Sequence, residues 1–164
     1  MSGAGAGFGL RDTLWALGVT LVFGVLLRVF VLDACRVPTV SMENTLTPGD
    51  HLLVNRLAAP SRGDVLAFTI PLPGGESRVF VKRCLAGPGD IVPPGLGQAA
   101  GTVMPPDRYF MVGDNRAESR DSRSFGPVPR SAIVGRAVLV YWSVDPARGG
   151  AQGIRWSRIG TVVE

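Results

Sequence analysis

From Thr13 to Leu27 the chain runs through fifteen uncharged residues, meets Arg28, and stays apolar through Val29–Leu32. That is about the 20 positions a membrane-crossing helix needs, so residues 13–32 are predicted to form one apolar anchor. Arg28 falls near the end of this stretch, where a long basic side chain can reach the headgroups instead of lying at the bilayer centre. Residues 1–12, opening MSGAGAGFG, are small and polar, cannot bury a core, and are expected to be a flexible tail. A cleaved leader is the competing reading, because LDAC ending at Cys35 loosely resembles a lipoprotein processing site, but Asp33 and Arg28 fit it badly. Charge does not orient the anchor, since Arg11 on one side is matched by Arg28 and Arg36 on the other.

After Pro38 the pattern shifts to short runs rich in β-branched and aromatic residues, over 51–57, 64–70, 78–85, 109–112 and 132–142. Pro- and Gly-rich loops separate them, notably PLPGG at 71–75 and the stretch 87–106, which is long enough to be mobile or the site of a trimmed insertion. Such punctuation predicts a mainly β, antiparallel domain over residues 37–164, with a curled or barrel-like sheet behind one transmembrane helix. Nothing after Trp142 is apolar for long enough to make a second span. In VFVKRCL, alternation puts Phe80, Lys82 and Cys84 on one face and Val79, Val81 and Arg83 on the other.

Composition narrows the function. The chain is 46% hydrophobic, with 22 glycines and 13 prolines, as befits a folded domain of short strands and many turns. A net charge of +4 could suggest nucleic acid, but the arginines are scattered among acids and form no stripe, which argues against that partner. Cys35 and Cys84 lack metal spacing and are read as free thiols, or as a pair if the domain is exported. With His51 the only histidine, a Ser-His-Asp triad has a single candidate and a histidine metal site almost none, so neither a metal nor an organic cofactor is expected.

The basic residues comprise sixteen arginines and one lysine, Lys82. A guanidinium cannot release its proton, whereas an amine can. In water a lysine is neutral in only about one molecule in 2,500 at pH 7, but burial on the apolar face of a strand lowers its pKa by disfavouring the charged form. Lys82 is therefore a candidate general base. The stretch VPTVSMENTLTPGD, residues 37–50, supplies hydroxyls just past the anchor, and Ser41 lies between the apolar Val40 and Met42. A serine needs such a base to become nucleophilic. GDNRAESRDSRSFGPV, residues 113–128, is dense in donors and acceptors. There Asp121 and Arg123 can pair to hold the loop, leaving Ser119 or Ser122 to orient an amine.

In their order, these three stretches together with RGDVLAF at 62–68 resemble the sequence boxes of the type I signal peptidases, and SMENTL is similar to actinobacterial members. The likeness covers nearly all of the chain after Val37. It implies a β-rich catalytic domain outside the cytoplasm, on a single-pass plasma-membrane anchor, cutting exported preproteins after small residues by a Ser-Lys dyad without a cofactor. Position by position, it implies Ser41 as nucleophile and Lys82 as general base. Thr39 and the Ser41 N–H would serve as oxyanion donors, and Ser119 as partner of the lysine amine. Asp121 with Arg123 would be the supporting ion pair, Asp114 and Arg116 structural residues of the same box, and Met42, Leu46, Phe80, Val81 and Val37 pocket residues. The chain departs from the usual pattern with Val40 for Gly, Thr39 for Ser, Asn44 for Pro and Ala86 for Gly. Two alternatives remain open on the residues: a specialised Ser-Lys maturation protease of pilin or conjugation type, and a non-catalytic anchored β module that binds a partner through its arginines.

Overall fold

The computed structural model describes residues 9–71, 74–148 and 150–164. Residues 1–8 of the expected tail, and Leu72 and Pro73 of the 71–75 loop, lie outside the described residues. Helix α1, Leu10–Leu26, begins inside the segment expected to be tail, because Asp12 accepts a hydrogen bond from the Gly9 N–H (3.3 Å) and caps the first turn. None of its residues is buried, and it continues into a π-helical turn, Leu27–Val31. Among the described residues no helix is long and apolar enough to cross a membrane. At 1.5 Å per residue, the 17 residues of α1 reach about 26 Å, against a hydrocarbon core of about 30 Å.

Leu32, expected to end the anchor, instead opens strand β1, Leu32–Arg36. The apolar run hid this strand because its alternation starts only at Asp33. Strands β2 (Asp50–Asn55), β3 (Val65–Pro71), β4 (Ser77–Ala86), β5 (Arg108–Val112) and β7 (Ile133–Ser143) match the five predicted runs to within two residues at each end, and β6 is the short pair Val128–Pro129. All pairings are antiparallel, in the order β1-β2-β7-β3-β4-β5-β6. The sheet is not closed into a barrel: β1 and β6 are its edges. Curl comes from register shifts at His51/Leu52, Leu53/Val54, Ala67/Phe68 and Cys84/Ala86, since a bulge bends a strand and increases its twist.

Period-two alternation buries both faces of β3. Val65 and Ala67 join Met42, Leu46, Leu52 and Val81 in one cluster, whereas Leu66 and Phe68 join Cys84, Tyr109 and Met111 in another. The 87–106 stretch has its own packing, with Val92, Leu96 and Met104 buried against Ala86, Phe110 and Val112. Gly135 sits where β7 changes partner, and a Cβ there would lie 2.4 Å from the Asn55 carbonyl oxygen.

Beyond β7 the chain returns to pack against residues 45–50. Asp50, fully buried at the start of β2, accepts from Arg158 Nη2 (2.6 Å) and Nε, from Ser143 Oγ (2.7 Å) and from the Thr47 N–H (2.9 Å). Arg158 Nη2 also donates to Thr45 O (3.1 Å). Removing one partner of a buried pair leaves the other charge uncompensated, at a cost of about 3–5 kcal/mol. Asp50→Ala is therefore expected to lower unfolding stability by that order in denaturant titration of the detergent-solubilised chain, and an unchanged midpoint would contradict it.

Candidate functional site

Ser41 lies in a one-turn 3-10 helix, Val40–Met42, and its side chain is buried. Lys82 projects from β4, opposite Leu66 of β3, and is 3% exposed. The two tips meet: Lys82 Nζ lies 2.5 Å from Ser41 Oγ and donates to Val81 O at 3.0 Å. Thr39 Oγ1 is 3.1 Å from Ser41 Oγ on the solvent side. Asn44, where proline is common in the resembling family, has φ +88°, a left-handed value closed to a proline ring and tolerated by asparagine.

Burial is the main influence on the amine and pulls its pKa down to about 8, against the carboxylates of Asp121 and Asp114, which act to raise it. At that value about one molecule in ten carries a neutral amine at pH 7. The carboxylates are themselves occupied. Asp121, fully buried, accepts from Arg123 Nε and Nη2 (both 2.8 Å), Ser119 Oγ (2.6 Å) and the Gly113 N–H (3.0 Å). Burial alone would raise its pKa, but these donors outweigh it and hold the acid at about 2. Its contribution to stability is fully present above about pH 4, its unfolded value, and is lost as pH falls from there through about 2. Asp114 forms a two-point pair with Arg83 (2.8 Å each) and accepts from Thr45 Oγ1 (2.6 Å), which keeps it ionised despite burial.

Several side chains fall elsewhere than the resemblance implied. Ser119 donates to Asp121 and not to the lysine, because a hydroxyl gains more from a carboxylate than from a neutral partner. Ser122 accepts from the Met111 N–H (2.9 Å) and is also turned away from the amine. Arg116 is exposed, and its part in the loop is a carbonyl that accepts from Arg123 Nη2. Leu46 is in the core beneath the site, whereas Val37, Met42, Phe80 and Val81 line a cleft of about 590 Å³ that also contains Thr39, Ser41 and Lys82. Both cysteines are free, with thiols pushed up to about 12, chiefly by burial. His51 lies in β2 with its ring edge against Tyr141, and among the described residues no cluster of His, Cys, Asp and Glu could hold a metal ion.

Sequence reasoning missed Gly113, Asn115, Thr45 and Arg83. Gly113 and Asn115 lock residues 113–128 onto residues 37–50: the Asn115 N–H donates to Ser41 O (3.2 Å) and its Nδ2 to Val40 O (3.2 Å). A Cβ on Gly113 would fall 2.1 Å from Ser119 Oγ and 2.4 Å from Ser41 O. The GDN order, a glycine followed by two side-chain hydrogen-bonders, was the available signal. Gly113→Ala should displace Ser41, and a misplacement of that size costs about a hundredfold in rate. Slowed acylation of Ser41 by a serine-directed probe, followed by mass spectrometry, would show it. Labelling at the wild-type rate would mean that the contact yields.

A buried hydroxyl and a buried, partly neutral amine at the floor of an open cleft can carry out nucleophilic acyl transfer with lysine as the base. On fold and site, this is a β-sheet domain of the serine hydrolase class. The family model described as "Signal peptidase, peptidase S26" matches residues 10–94 and 94–142, and the chain belongs to that family. It is 33% identical to the "Probable signal peptidase I-2" of Synechocystis over 82% of this chain and 76% of that one. It is 31% identical to the "Signal peptidase I" of Leptolyngbya laminosa over 83% and 81%. These relatives are cyanobacterial, not actinobacterial as SMENTL suggested. A crystal structure of a signal peptidase I from Enterococcus faecalis overlaps 48% of this chain and 97% of its own, with a TM-score of 0.37 and 24% identity.

Proposed function

We propose that the chain is a type I signal peptidase, a serine endopeptidase that removes signal peptides from exported preproteins, with Ser41 and Lys82 as its dyad. The observation that carries the assignment of the dyad is the 2.5 Å contact between the two buried tips. Ser41 Oγ attacks the scissile carbonyl carbon as Lys82 Nζ takes its proton. The resulting oxyanion is met by the Thr39 hydroxyl and by the Ser41 N–H, one of the first-turn donors that a helix leaves without an internal partner. The ammonium of Lys82 then protonates the leaving nitrogen, the C–N bond breaks, and an acyl ester remains on Ser41. Lys82 next takes a proton from water, whose oxygen attacks the ester, and returns it to Ser41 Oγ as the new carboxyl product leaves.

The apolar α1, exposed on every side, supports a membrane anchor completed by the Leu27–Val31 turn, with the β domain on the extracytoplasmic face. Holding the site at the bilayer raises the effective concentration of substrates in the same membrane.

Lys82→Arg keeps the charge but removes the base. Preprotein cleavage in detergent is expected to fall on the order of a thousandfold or more, with the circular dichroism spectrum unchanged. Normal processing would refute the dyad. Ser41→Ala should abolish cutting while sparing any partner binding, which separates a peptidase from a binding module.

The amine works only when unprotonated, so kcat/KM should rise with pH and level off above a midpoint near 8, the value held by Lys82. Asp121→Asn removes a carboxylate that raises that value, so the limb should move toward lower pH. A profile flat from pH 6 to 10 under chemistry-limited conditions, or a limb moved upward in Asp121→Asn, would contradict the assignment.

A further inference from the structure

The acids around the site are already engaged by arginines, Asp114 by Arg83 and Asp121 by Arg123, yet three further arginines line the same cleft. Arg36 comes from the end of β1, Arg78 from the start of β4 and Arg120 from the loop before helix α2, Ser122–Phe125. All three are exposed, and among the described residues none has a hydrogen-bond or ion-pair partner. Glu118 is the one acidic side chain in the lining. Residues far apart in sequence thus bring a surplus of fixed positive charge to the cavity that holds Ser41 and Lys82.

Small residues before the cut and a neutral peptide backbone offer these guanidiniums carbonyl oxygens but no opposite charge. We infer that Arg36, Arg78 and Arg120 form a subsite for an acidic side chain of the preprotein a few residues from the scissile bond. The inference rests on the peptidase reading above. Arg78 and Lys82 are four residues apart on one face of β4, about 13 Å at 3.3 Å per residue. An extended substrate therefore meets Arg78 about four residues from the reacting carbonyl. Membrane headgroups could also pair with guanidinium, but the arginines are grouped by the cleft that must hold the peptide, which favours the substrate carboxylate.

The test uses the full chain in neutral-detergent micelles and a fluorogenic peptide with Ala one and three positions before the cut, carrying Glu, Gln or Lys in turn at each position two to six residues from the bond on either side. We expect a Glu-to-Lys ratio in kcat/KM of about tenfold at a position three to five residues from the bond, carried by KM and shrinking toward one at 1 M salt, where screening is short-ranged. The ratio should collapse in the Arg36→Gln, Arg78→Gln, Arg120→Gln triple variant and grow in Glu118→Gln. Equal rates for the three peptides at every position, or a ratio unchanged in the triple variant, would overturn the subsite.

If no peptide is cut, the peptidase reading fails. The subsite is then read from binding of the same peptides to the Ser41→Ala chain by fluorescence anisotropy, where tighter binding of the Glu peptide supports it and equal binding overturns it. Reconstitution with and without phosphatidylglycerol tests the headgroup alternative. Anionic-lipid dependence of wild-type cutting that is lost in the triple variant, together with no peptide charge preference, would assign the arginines to lipid and overturn the proposal.

Discussion

An ammonium group 3% exposed in a β-sheet is an unfavourable object, and the site depends on how that penalty is set. Full pairing with a carboxylate would remove the penalty but would also hold the proton on the nitrogen. Here Asp121 and Asp114 are close enough to act on Lys82 electrostatically, yet neither forms a hydrogen bond with it; its contacts are Ser41 Oγ and Val81 O. Both carboxylates spend their lone pairs on Arg123, Ser119, Gly113, Arg83 and Thr45. Burial therefore wins, and the amine releases its proton near neutral pH. In this arrangement the ion pairs around the site keep the acids occupied, so that no carboxylate bonds the lysine directly.

The same bonds fix the geometry. Ser41 sits in a single turn that could not hold its shape alone, but its carbonyl is gripped by Asn115 and the residues after it by Arg83 through Thr45 and by Arg158 at Thr45 O. Arg83 follows Lys82 directly in β4 and points to the opposite face, so one strand presents the amine on one side and on the other ties residues 37–50 to residues 113–128 through Thr45 and Asp114. Its further bond to Gly63 O (2.8 Å) brings in the RGD turn before β3. The four sequence boxes are thus four parts of one hydrogen-bonded assembly.

Five strands were legible because each runs between Pro- or Gly-rich loops with period-two alternation, and so was the placing of Lys82 on the apolar face of β4. Strand β1 was not, because its backbone pairing with β2 from Leu32↔Asn55 to Arg36↔His51 is written in long-range register and not in the side chains of LDACR. Closure of the sheet was equally hidden, since it depends on the separation of the edge strands. In the site, residue types singled out Ser41 and Lys82 as candidates and the resemblance added Thr39; the three side chains lie together in the fold. The partner of Ser119 could not be read, because a hydroxyl can donate to a carboxylate or accept from an ammonium, and only the fold, which sets Ser119 Oγ 2.6 Å from Asp121, decides between them.

Titration sets the single lysine apart from the groups around it. Every other displaced group moves away from neutrality: Asp50, Asp114 and Asp121 downward, Arg83 and Arg123 upward, and both thiols to about 12. Only Lys82 moves toward it. Near neutral pH the framework charges therefore stay fixed while the amine changes state. Lysines in place of Arg83 or Arg123 would offer one ammonium where two-point pairing is needed. The arginine framework thus separates the charges that hold the site together from the one charge, on Lys82, that shifts toward neutral pH.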